Sequence, residues 1–75
     1  FNPVTTIRYT VTESSNVRLF VTDARGVEIA TLVNLRMLPG SYSVLFDAAG
    51  IPSGVYFYHL VADGQKLTKR MVVIK

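Results

Sequence analysis

No cysteine and no tryptophan occur in these 75 residues, and histidine occurs once, at His59. Without thiols there is no disulfide framework and no cysteine-based zinc set, so packing alone must hold the core. The missing cysteine leaves the compartment open, because exported chains often lack it too. Charge of one sign is also scarce. Eight Lys/Arg against five Asp/Glu give a net charge of +3, and Arg8, Arg18, Arg25 and Arg36 are scattered along the chain. That balance argues against a nucleic-acid partner. No apolar run approaches the ~20 residues that a membrane-spanning helix needs, so no membrane insertion is expected. The chain opens on Phe1 with neither an initiator methionine nor a signal-peptide pattern. It therefore reads as a piece excised from a longer protein, any export signal lying outside it.

What is present is alternation. Residues 1–75 make one small domain, which buries only about 60% of the surface its unfolded chain exposes. Ile7, Tyr9 and Val11 alternate with Arg8, Thr10 and Thr12, and Val17, Leu19 and Val21 alternate with Arg18, Phe20 and Thr22. Period two marks strands with one buried face. Glu13 to Asn16 is a polar break, and Asp23-Ala-Arg-Gly26 is a turn. The third strand, Val27 to Val33, changes phase between Ile29 and Leu32, which predicts a bulge or bend near Ala30-Thr31. Leu38-Pro39-Gly40-Ser41 fits a turn, and Tyr42 to Asp47 a fourth strand. The glycines and Pro52 of Ala48 to Gly54 read as loop. Val55 to Ala62 is apolar on both faces, and Asp63-Gly64 joins it to a return strand, Leu67 to Ile74, as a hairpin. No helical period is sustained anywhere. Short strands at this spacing predict an all-β fold, a small antiparallel β-sandwich, with a single-sheet barrel as the alternative.

Catalysis has little to stand on. Ser53 with His59 would need an orienting acid and an oxyanion site, and no motif supplies either, so no enzyme is expected. Asp23, Asp47 and Asp63 sit beside turns, where aspartate caps backbone amides, and nothing has the spacing of a calcium site. The glycines are isolated turn residues, not a phosphate loop. No metal, cofactor or catalytic residue is expected. Among the aromatics, Tyr9, Tyr42, Phe46, Tyr56 and Tyr58 are expected in the core. Phe20 and Phe57 lie opposite their strands' core faces and are expected to form an exposed patch where a neighbouring domain docks. The sharper signal is basic. Lys66, Lys69, Arg70 and Lys75 are four of the eight Lys/Arg, and no acid stands among them. Lysines on an edge strand guard Met71-Val-Val-Ile74 against sheet-to-sheet pairing, and such an edge also predicts weak homodimers. That reading leaves unexplained why the sequence stops at Lys75.

Five blocks in order carry a resemblance. They run through "FNPVTTIRYTV" with Asn2-Pro3; "VRLFVTDARGVEIATLVN" with its Asp-x-x-Gly; "LPGSYSVLFDAAGIPSGVYFYHL", with Pro39-Gly40, Phe46-Asp47, Gly50 and Pro52 and then Gly54-Val-Tyr56; and "KLTKRMVVIK". Together the chain resembles the type A C-terminal sorting domains of the type IX secretion system of Bacteroidetes, and more broadly the immunoglobulin-like domains related to the flagellar hook-capping protein. Met37 and Leu38 are more apolar than that pattern, and Arg70 stands where lysine is frequent. The resemblance implies an immunoglobulin-like sandwich of about six to seven strands and a non-catalytic role. It implies an N-terminal cargo domain, transit through the periplasm, and recognition by outer-membrane type IX translocon components. It further implies removal by a sortase-like peptidase, leaving cargo attached to the surface or released. The implied recognition residues are Gly54, Tyr56, Lys69, Arg70, Met71, Val72, Val73, Ile74 and Lys75, with the end of the chain acting as an address label. The competing reading is an immunoglobulin-like accessory or spacer module of a secreted hydrolase or adhesin, serving also as a carbohydrate binder.

Overall fold

The computed structural model describes residues 3–75; Asn2 of the expected opening motif lies outside them. Six strands follow one another: β1 (Val4–Val11), β2 (Ser15–Asp23), β3 (Glu28–Met37), β4 (Gly40–Asp47), β5 (Gly54–Ala62) and β6 (Gln65–Val73). They form two antiparallel sheets, β1-β4 and β3-β2-β5-β6, packed as a sandwich, and no helix occurs among the described residues. The barrel alternative therefore falls. The turns follow from backbone chemistry. Asp63 and Gly64 both adopt the left-handed region, with φ of 52° and 74°, as a two-residue hairpin demands. Asp23 caps its own turn by accepting the main-chain N–H groups of Arg25 and Val27 at 2.9 and 3.0 Å. The bond from Val27 is the main reason its carboxyl titrates below the usual aspartate range. Asp47 does the same for the Ala49 amide.

Inward residues of both sheets meet in one core built on Ile7, Leu19, Val21, Phe46, Ala48, Tyr56, Met71 and Val73. Leu19 and Val21 have no exposed surface. Each such side chain contributes roughly 1.5–3 kcal/mol by leaving water. Tyr9 and Tyr58 pack against the core's rim, and Tyr42 stacks on Tyr9 with ring centroids 5.6 Å apart. The expected phase change is present as two register shifts between β2 and β3. Phe20 pairs with Thr31 and Val21 with Ala30, so the pairing skips Leu32 on one side and Ile29 on the other. Skipping Leu32 lets both it and Val33 reach the core.

Because the small sheet has two strands and the large one four, the large sheet overhangs on both flanks. Leu35 in β3, opposite the buried Val17, is 57% exposed, and Leu67 in β6, opposite Leu60, is 51% exposed. Both point inward by strand alternation, yet nothing covers them fully.

Three expectations need correction. The polar break is shorter than Glu13 to Asn16, since Ser15 opens β2 and is 6% exposed. β3 runs on to Met37, beyond Val33, because Val17 and Ser15 continue to pair with Leu35 and Met37. Phe20 does lie on the outer face, but it is only 9% exposed and offers no open patch. The Arg18 guanidinium sits 3.9 Å from its ring centre, and the His59 ring stacks against it at 4.8 Å. A cation and an aromatic neighbour thus shield the ring from water. Phe57 is half-buried nearby, opposite Arg70.

Candidate functional site

β6 is an edge of the four-stranded sheet and, among the described strands, pairs with β5 alone. Strand alternation divides the expected recognition residues into two sets. Met71 and Val73 point inward and are 8% and 1% exposed. Arg70, Val72 and Ile74 are exposed, as are Lys69 and Lys75. The register brings the distant Gly54 and Tyr56 directly opposite Val73 and Met71. Tyr56 is 7% exposed. Gly54 and Tyr56 therefore support β6 from within and leave the outward contacts to Arg70, Val72, Ile74 and Lys75, while Lys69, on the inner side by alternation, is exposed at the open flank beyond Tyr58.

How Tyr56 does this is visible twice in the molecule. Its hydroxyl donates to the Pro52 carbonyl at 2.6 Å, and the Tyr42 hydroxyl donates to the Leu38 carbonyl at 2.6 Å. In both cases the bond spans four residues, and a glycine stands two residues before the tyrosine. A Cβ at Gly40 or Gly54 would lie 3.5 or 3.9 Å from the tyrosine ring, which shows each ring folded back over its glycine. The repeated Gly-x-Tyr, at Gly40-Ser-Tyr42 and Gly54-Val-Tyr56, was readable in the sequence as a signal for this device. It ties the start of β4 and of β5 to the segment before it.

The segment tied by Tyr56 is the loop 48–53, and it receives Lys75. The Lys75 main-chain N–H donates to the Ser53 hydroxyl at 3.1 Å, and its ammonium donates to the Ala49 carbonyl at 2.7 Å. Ala48 is fully buried, its amide donates to the Pro3 carbonyl, and Ile51 packs on the core, so the loop is a firm seat. Sequence reasoning gave no sign of this contact.

The geometry does not assemble a nucleophile and base. Ser53 is engaged by Lys75, while His59 lies on the opposite side of its strand from Tyr56 and Tyr58. Its ring nitrogens contact the Thr22 and Thr68 hydroxyls at 2.8 and 2.9 Å. Burial, and then the charge of Lys66, hold the His59 pKa below its usual value, favouring a neutral ring that can bridge one hydroxyl as donor and the other as acceptor. Beside it Arg18 pairs with Glu28. The Glu28 carboxyl titrates low, chiefly because the Thr31 hydroxyl donates to it and secondly because Arg18 does. Among the described residues no three His, Asp or Glu side chains gather into a metal-binding group. Nor is there an exposed aromatic row of the kind polysaccharide binding uses, since every described Phe and Tyr is buried or half-buried.

Compared with known families, residues 2–75 match the model of the secretion system C-terminal sorting domain. The chain belongs to that family. No curated protein and no solved structure matches it. As a type IX sorting domain it is a signal for export across the outer membrane, to the cell surface or beyond, and it interacts with the type IX secretion machinery. Domains of this family are sorting tags and generally non-catalytic, and the family implies a Bacteroidetes source.

Proposed function

We propose that the translocon reads this sorting domain in its folded state, through the exposed side chains of β6 and the residues just after it. Lys69, Arg70, Val72, Ile74 and Lys75 make the contact, and Gly54, Tyr56, Met71 and Val73 hold them in place. The observation that carries this reading is the division of the terminal residues by burial, together with the seating of Lys75 on the loop 48–53. An edge strand offers main-chain groups for strand addition, and cationic side chains speed encounter and fix register. Cargo attached at the N-terminal side passes through the periplasm, crosses the outer membrane, and is then freed from the domain by a sortase-like peptidase. The product is attached to surface lipopolysaccharide or released.

Deleting Met71 to Lys75 would remove two core residues and could abolish export simply by unfolding the domain. A cleaner test substitutes only exposed cations. The domain is fused to a periplasm-targeted fluorescent reporter in a host with a type IX system, and Lys69→Ser, Arg70→Ser and Lys75→Ser are combined. Reporter is expected to accumulate in the periplasm while the purified variant keeps its native circular dichroism and melts within about 4 °C of the parent, as exposed substitutions do. Undiminished surface or medium reporter from the triple variant would sink the proposal. Protease mapping of exported reporter tests the peptidase step: a product that still carries β6 would exclude removal.

A further inference from the structure

We propose that the open flank between β1 and β6 is a docking slot for an extended segment of another protein, which adds to the free edge of β1 and brings a carboxylate to Arg8 and Lys69. The inference shares Lys69 with the reading of the terminal residues but otherwise concerns the inner side of β6 and a different strand, so variants at Arg8 and Leu67 test it separately.

The small sheet lacks a third strand where the large sheet overhangs it. Among the described residues β1 pairs with β4 alone, so alternate N–H and C=O groups along its other edge have no strand partner there. Beside that edge lies a cavity of about 320 Å³ between Arg8, Tyr9 and Thr10 on one wall and Tyr58, Leu60 and Lys69 on the other. Leu67, inward yet 51% exposed, lies on its floor. Through Thr10, Leu60 and Leu67 it continues into a second cavity of about 520 Å³ under the β5–β6 hairpin, which reaches Glu13 and Ser15. The Ser15 hydroxyl is an independent sign of an absent partner. Ser15 is 6% exposed, and among the described residues its Oγ has no hydrogen-bond partner. Buried hydroxyls are normally satisfied, so one left open at the end of a groove marks where a polar group of the occupant arrives. From Arg8 to Glu13 the wall accommodates about six extended residues, alternating apolar side chains inward onto Leu60 and Leu67.

Charge selects the occupant. Arg8 and Lys69 flank the first cavity, neither takes part in an ion pair among the described residues, and no acid lines that cavity. A second copy adding through its own β6 would bring Lys66, Lys69 and Arg70 against these cations. Like charges at that distance disfavour that pairing, and the two cations favour a partner segment with an acidic residue.

The test is an amide-shift titration of the ¹⁵N-labelled 75-residue chain with the capped peptide Thr-Val-Glu-Val-Thr-Val-Thr, beside its twin with lysine in place of glutamate. Shifts are expected at Arg8 to Thr10, Ser15, Leu60 and Leu67, with the glutamate peptide binding roughly tenfold tighter, the scale of one well-placed charge pair. Leu67→Ser should weaken both peptides about tenfold while leaving the remaining spectrum native. Arg8→Glu, an exposed change that leaves every terminal residue in place, should reverse the preference between the twins. Shifts confined to the outward edge of β6 or to β3 would overturn the proposal, as would equal binding of the twins or no shift at millimolar peptide. Concentration-dependent shifts of the same amides without peptide would assign the slot to a second copy and overturn it too.

Discussion

Tyr56→Phe isolates the bond that ties β5 to the loop beneath Lys75. The substitution keeps the ring, and with it the packing over Gly54, and removes only the hydroxyl that donates to the Pro52 carbonyl at 2.6 Å. A net intramolecular hydrogen bond contributes about 1 kcal/mol, and a carbonyl left half-buried without its donor keeps the loss near the upper part of the 0.5–1.5 range. For a domain of this size that corresponds to a fall of roughly 4–8 °C in Tm. Tyr42→Phe removes the sister bond to Leu38, which lies at an exposed site where water replaces the donor, so its Tm should fall by about 2 °C or less. The Ile51 amide, which donates to the Ala48 carbonyl inside the loop, gives a local reading. Its exchange with solvent should quicken by about fivefold in Tyr56→Phe, the factor that 1 kcal/mol implies, and stay unchanged in Tyr42→Phe. Differential scanning calorimetry and amide exchange on the three proteins decide the matter. A Tyr56→Phe variant that melts within about 1 °C of the parent would refute the claim that this hydroxyl fastens the loop.

Leu19→Ala, at a site with no exposed surface, should cost about 2–5 kcal/mol and shift the urea midpoint by at least ~1 M, because the two sheets cannot close on the cavity. Two glycines with open space around a Cβ should separate backbone strain from crowding. Gly64→Ala, at φ of +74°, should lower stability by about 1 kcal/mol, whereas Gly50→Ala should be neutral or slightly stabilising in urea melts. The depressed His59 pKa means the unfolded chain takes up its proton first as pH falls. Its contribution is therefore whole above about pH 6.5 and lost as pH drops toward the lower folded value. An NMR titration of the ring should give a midpoint below 6.5, and a midpoint at or above that value would contradict the burial argument.

Strand order along the chain was legible because period two, the Asp-Gly hairpin and the Asp-x-x-Gly turn are local features. So was the irregularity in β3: the shift in apolar phase between Ile29 and Leu32 appears as pairing that skips both residues. What could not be read was anything that depends on which strands meet. Phe20 looked exposed because its face of β2 is the outer one; only the register that sets it opposite His59, with Arg18 two residues before it, reveals that it is covered. The inward but open Leu67 is the reverse case, since alternation alone does not say that the facing sheet is two strands narrower. In the candidate site, Gly54, Tyr56 and the terminal residues were expected from family likeness alone. Their division into buried and exposed sets came from the structure, and the seat of Lys75 came from a loop whose contact with it spans 22 and 26 residues.

That long-range seat has a consequence for quality control. Ser53 and Ala49 reach Lys75 only when the hairpin has closed and the loop has settled on the core, so the spatial arrangement at Lys75 exists only in a finished domain. A misfolded chain carries the same letters with the last one adrift. Any receptor that measures where the lysine stands, and not merely that it is present, would thereby inspect each molecule's assembly before letting it through.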